Sequence, residues 1–128
     1  MVPVPRGDAR RVDRGALDRA IRAAEEASRV EFSVFVGRSE GDVRDYARRL
    51  HGALVAPARS VLILVDPARR ALEVVTGEDV RRELSDHEVE LALATMTEDF
   101  AHGDLTRGLV RGVQQLAEHA RAPRTLHS

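Results

Sequence analysis

Ser60-Val61-Leu62-Ile63-Leu64-Val65-Asp66 carries apolar, β-forming side chains on both alternations of an extended strand. A strand that is apolar on both faces must be covered on both, so this segment predicts the centre of a sheet with helices above and below. Asp66-Pro67-Ala68-Arg69-Arg70 follows with turn chemistry, Pro67 presetting φ at the second turn position. Ala71-Leu72-Glu73-Val74-Val75-Thr76 then reads as a reversed third strand, with Glu73 suited to a place nearer the sheet edge and Gly77 at its end.

Working outward, Glu31-Phe32-Ser33-Val34-Phe35-Val36-Gly37 is a first strand, with Phe32, Val34 and Val36 on one face and Phe35 on the other. Leu17, Ile21, Ala24 and Ala27 recur at helical spacing before it, predicting a helix over about 13 to 28. Between the first two strands, a polar loop at 38–42 leads into Val43, Tyr46, Ala47, Leu50 and Leu54, the stripe of a second helix that Pro57 closes. Ser85-Asp86-His87-Glu88 is a capping box that opens a third helix with Val89, Leu93, Met96 and Phe100 on its stripe. Gly103-Asp104 breaks that helix, and Leu105, Leu109, Val113, Leu116 and Ala120 form the stripe of a fourth.

The order α-β-α-β-β-α-α makes the first two strands parallel through a right-handed crossover, and the hairpin makes the third antiparallel. Three strands cannot bury four amphipathic helices on one face, so the expected fold is a three-layer α/β/α sandwich around a small mixed sheet. Residues 13–120 are expected to form one domain, with a flexible segment at 1–12 and a frayed tail at 121–128.

Twenty basic and 21 acidic residues are interspersed, so the one-sided basic stripe that a nucleic-acid backbone requires is lacking. Every basic residue is Arg, and cysteine is absent, which excludes disulfides, thiolate zinc sites and a Cys nucleophile. His51, His87, His102, His119 and His127 show no zincin-type spacing. No run approaches the roughly 20 apolar residues of a membrane span, and no secretory leader is evident, so the expected location is cytoplasmic.

Leu62-Ile63-Leu64-Val65-Asp66, Leu72-Glu73-Val74-Val75-Thr76-Gly77, Leu84-Ser85-Asp86-His87-Glu88 and Phe100-Ala101-His102-Gly103-Asp104-Leu105-Thr106-Arg107-Gly108 together resemble the TPM domain family. The last block matches that family's arrangement of phenylalanine, two residues, Gly-Asp, three residues and Gly. Ala24-Glu25 and Phe32-Ser33-Val34-Phe35-Val36-Gly37 resemble an actinobacterial branch of unknown function. The resemblance implies an α/β/α sandwich, and weak acid-phosphatase activity and divalent-cation binding belong to what it implies. Val75-Thr76-Gly77-Glu78-Asp79 stands where typical members have Gly-Tyr-Gly and Leu-Glu, which weighs against carrying the phosphatase over.

Direction of travel assigns the loops to edges. The carboxyl ends of the parallel strands, the start of the second helix and the corner between the last two helices fall on one edge, bringing Asp42, Asp66 and Asp104 there. Each has a local role, Asp42 and Asp104 as helix caps and Asp66 as the opening of a Pro turn where Asn would serve as well. Together, three carboxylates could hold Ca²⁺ or Mg²⁺, and the two helix starts with Arg38 could attract a phosphate. Glu31, Glu78, Asp79 and Asp86 mark a second acidic patch on the opposite edge, read as a solvated face. Ser39 and Ser85 lack a local His-Asp pairing, His87 and His102 read as helix-end surface residues, and Tyr46 and Met96 as core. No catalytic residue can be named. The favoured function is a non-catalytic binding module for a protein or a small phosphorylated ligand, with a divalent cation as its one candidate cofactor. The alternative is a weak metal-dependent acid phosphatase.

Overall fold

A computed structural model describes residues 12–121. The expected flexible start and frayed tail fall almost wholly outside that range. The exceptions are Val12, which packs partly buried against the core, and Arg121, the last residue of the final helix.

Four α-helices and three strands follow in the order α1 (Arg14–Ser28), β1 (Glu31–Val36), α2 (Val43–Gly52), β2 (Ser60–Asp66), β3 (Ala71–Thr76), α3 (Asp86–Ala101) and α4 (Leu105–Arg121). β2 lies between the other two strands, parallel to β1 with Phe32 opposite Val61, and antiparallel to β3 with Ile63 opposite Val74. Every residue of β2 is buried, as a strand apolar on both faces requires.

The two faces are covered unequally. α1, α3 and α4 bury one face against Phe32, Val61, Ile63, Val65 and Val74, while α2 alone covers Leu62 and Leu64 through Ala47. Ala27, expected on the α1 stripe, is exposed, and Ala20 takes its place beside Leu17 and Ala24. Tyr46 is only partly buried, lying across Phe35 on the α2 face with ring centroids 5.9 Å apart, whereas Met96 is fully buried.

Three short 3₁₀ turns, at Pro57–Arg59, Pro67–Arg69 and Val80–Arg82, occupy stretches expected to be irregular. The first follows because α2 stops at Gly52, earlier than Pro57 implied. Gly77 sits where the chain leaves β3 under the first of these turns. A Cβ there would lie 2.1 Å from the Pro57 carbonyl oxygen, so only glycine allows that approach. The capping box at the head of α3 is complete, with Ser85 and Glu88 each accepting the other's backbone N–H.

Candidate functional site

The carboxyl ends of β1 and β2 meet as the topology predicted, because the loop after β1 folds over the end of β2. The Ser39 backbone N–H donates to Asp66 Oδ2 at 2.8 Å, and the Ser39 hydroxyl donates to the same oxygen at 2.6 Å. The Arg69 backbone N–H reaches Asp66 Oδ1 at 3.3 Å, closing the 3₁₀ turn that Pro67 begins. Arg69 Nη1 then donates to Ser39 Oγ at 3.0 Å. Burial alone would raise the pKa of this fully buried carboxyl. The Ser39 donors, followed by the Arg69 N–H and the guanidinium charge, outweigh burial and hold the Asp66 pKa below its ordinary value.

This environment is not that of a surface turn. The expectation that Asn would serve as well at position 66 fails, because a carboxylate supplies only acceptors and the buried donors facing it need acceptors. Ser39 is likewise withdrawn: its hydroxyl proton points into Asp66, its lone pair is taken by Arg69, and only 8% of the residue is exposed.

Asp42 and Asp104 take the capping roles their sequence contexts allow. Asp42 Oδ1 accepts from the Asp45 N–H at 3.0 Å at the head of α2, and Asp104 Oδ1 from the Arg107 N–H at 2.9 Å at the head of α4. Among the described residues, no group of three or more His, Asp or Glu side chains stands close enough to hold a metal ion. Asp42, Asp66 and Asp104 are therefore not gathered into one cluster. On the opposite edge, Glu31, Glu78, Asp79 and Asp86 are exposed. His87 is exposed, and His102 is an exposed C-cap whose Nδ1 lies 2.8 Å from the Glu98 carbonyl oxygen.

A second polar centre escaped the sequence reading. Asp99, 7% exposed near the end of α3, receives Arg111 Nη1 at 3.0 Å on both oxygens, with Arg107 Nε 3.7 Å away. Its signal was present: Ala92, Met96 and Asp99 continue one buried helical stripe, and Arg107 and Arg111 are spaced i,i+4 on the facing helix. Beside this clasp, Gly108 leaves room for the Phe100 ring and Gly112 for Met96. Added Cβ atoms would come within 2.5 Å of each, so both glycines let α3 and α4 pack closely. His51, weighed in the sequence only as a metal ligand, is buried, and its Nε2 lies 2.9 Å from the Ser60 carbonyl oxygen, tying α2 to the start of β2.

Against known families, the model of a domain of unknown function, DUF5130, matches residues 6–117. The chain belongs to DUF5130. This overturns the resemblance to the TPM family, whose most specific signal has a physical account in the α3–α4 corner. Phe100 needs the missing Cβ of Gly108, Gly103 takes φ 80, and Asp104 caps the next helix. Those requirements belong to a tight helix–helix turn and do not single out one family.

The DUF5130 chain is 31% identical over 102 residues to "Uncharacterized protein Rv2468c" of Mycobacterium tuberculosis strain ATCC 25618 / H37Rv, and equally to "Uncharacterized protein MT2543" of strain CDC 1551 / Oshkosh. The match covers 80% of this chain and 61% of those proteins, so the chain spans about three fifths of their length. In fold, the DUF5130 domain is similar to the BA42 protein of the psychrophilic bacterium Bizionia argentinensis, solved by NMR, with a TM-score of 0.75 and 22% identity. That likeness covers 91% of this chain and 81% of BA42. No described helix is long and apolar enough to cross a membrane.

Proposed function

We propose that this DUF5130 domain is a non-catalytic binding module. The observation that carries this reading is the Ser39–Asp66–Arg69 network. At the edge where open α/β sheets usually hold ligands, the hydroxyl that could act as nucleophile and the carboxylate that could act as base are bonded to each other and to Arg69. A substrate or a divalent cation would have to displace these bonds to engage either group. Ca²⁺ or Mg²⁺ at this edge would find Asp42 and Asp104 with one oxygen each already capping a helix, so binding there is weak in this reading. The partner is a protein or a small phosphorylated ligand, and the module is taken as cytoplasmic, which fractionation of the native host would check.

The test is hydrolysis of an aryl phosphate by purified protein with Mg²⁺, Mn²⁺ or Ca²⁺ present. No more than trace release is expected. Steady turnover that Asp66→Asn abolishes would replace this reading with a metal-dependent phosphatase.

A further inference from the structure

We propose that the cavity of about 450 Å³ at the amino-terminal edge of the sheet, walled by Arg29, Arg59 and Arg82, binds the phosphate group of a small, hydroxyl-bearing phosphorylated molecule. The proposal rests on the binding-module reading and names its ligand class.

Arg29 ends α1 in the left-handed conformation, at φ 66 and ψ 14. Helices commonly end this way on Gly, which takes that conformation without the steric cost every side chain with a Cβ incurs. An arginine there gives up stability, and it lines the cavity. The Arg29 N–H bonds to the Glu25 carbonyl oxygen at 2.9 Å, which fixes the turn. Its own carbonyl oxygen accepts from Arg59 Nη2, so the Arg59 side chain is anchored by one nitrogen. A guanidinium held in this way loses less freedom on meeting a ligand, and its fork matches two oxygens of a phosphate.

No carboxylate closely neutralises these cations among the described residues, unlike Arg44 and Arg111. Arg111 is bound to Asp99 and Arg44 to Glu73. Among the described residues, no carboxylate pairs with Arg29 or Arg59, and Asp79 approaches Arg82 only to 4.0 Å. Asp79 and Glu83 also line the cavity, so its wall carries charges of both signs. That mixture disfavours a polyanion and suits a single phosphate whose attached hydroxyls can donate to Asp79. Val30 and Val80 supply apolar lining, and the volume falls within the few hundred Å³ usual for small-molecule sites.

The experiment is an amide chemical-shift titration of the whole chain with inorganic phosphate and, separately, ribose 5-phosphate, with sodium chloride at matched ionic strength as the blank. Saturable shifts at Arg29, Val30, Val80 and Arg82 are expected, with ribose 5-phosphate binding more tightly than phosphate. Arg29→Gly should weaken binding about tenfold, the loss of one charge-assisted contact, while raising the melting temperature. Arg70→Gly, at the second left-handed arginine, should leave affinity unchanged. Shifts no different from the salt blank, or equal affinity in Arg29→Gly, would overturn the site while leaving the non-catalytic reading intact. Release of phosphate from bound ribose 5-phosphate would support the site and sink the non-catalytic reading.

Discussion

The two edges of the sheet use arginine in opposite ways. At the carboxyl edge, Arg69 is turned inward on Ser39 beside a buried, ionised Asp66, so charge is spent on holding the β1–α2 loop to the end of β2. At the amino edge, Arg29 and Arg59 line an open cavity with no carboxylate partner among the described residues. A polar cluster at the expected position in the fold can thus be scaffolding, while recognition falls to residues without a motif.

The largest effect should come from the backbone that shapes the amino edge. Gly77→Ala should cost on the order of 4 kcal/mol or prevent folding, because the new Cβ meets the Pro57 carbonyl with no flexible group to yield. Urea denaturation would measure it, and near-normal stability would mean that the turn carrying Arg59 is looser than described. Next comes the opposite edge, where Asp66→Asn should lose about 2 to 3 kcal/mol by leaving buried donors without acceptors.

The same residue predicts a pH dependence. The folded pKa of Asp66 is depressed, so its stabilisation is fully present above the unfolded value of about 3.9 and is lost as pH falls through the lower folded value. Acid unfolding should therefore be steeper below about pH 4 in the wild type than in Asp66→Asn, as followed by circular dichroism. An identical acid limb in the two proteins would mean that the clasp is not ionised. Gly108→Ala, at the α3–α4 contact, should cost about 1 to 3 kcal/mol through the Phe100 ring. The smallest change has the opposite sign, since Arg29→Gly should gain up to about 1 kcal/mol in thermal denaturation by relieving the left-handed backbone. A loss there would show that the arginine serves the fold.

The order of elements, the central place of β2 and the capping box were legible because each follows from local chemistry: two-sided apolar strands, a proline turn, a Ser and Glu three residues apart. The meeting of Ser39 with Asp66 followed only as far as topology could bring their loops together. Their burial was not legible, since Asp-Pro reads equally as an exposed turn. Asp99 was missed because its neighbours Met96 and Phe100 already accounted for the stripe, and a charged residue between them looked like the solvent side of the helix. Arg29 and Arg59 had no signal, because a left-handed helix end is normally sought at Gly and Arg59 meets Arg29 across the fold.

β3 is an edge strand of the sheet. Gly77 donates inward to the Ser60 carbonyl, so in the alternating pattern of an antiparallel pair the Thr76 carbonyl faces away from β2, where Arg81 covers it. Farther along, Glu73 is held by Arg44 from α2. A bare strand edge recruits copies of itself into growing sheets, and charge and occupied carbonyls on the edge oppose that growth. Replacing Arg44 or Arg81 with alanine should therefore make the domain more prone to aggregate, so both are best left in place when the surface is engineered.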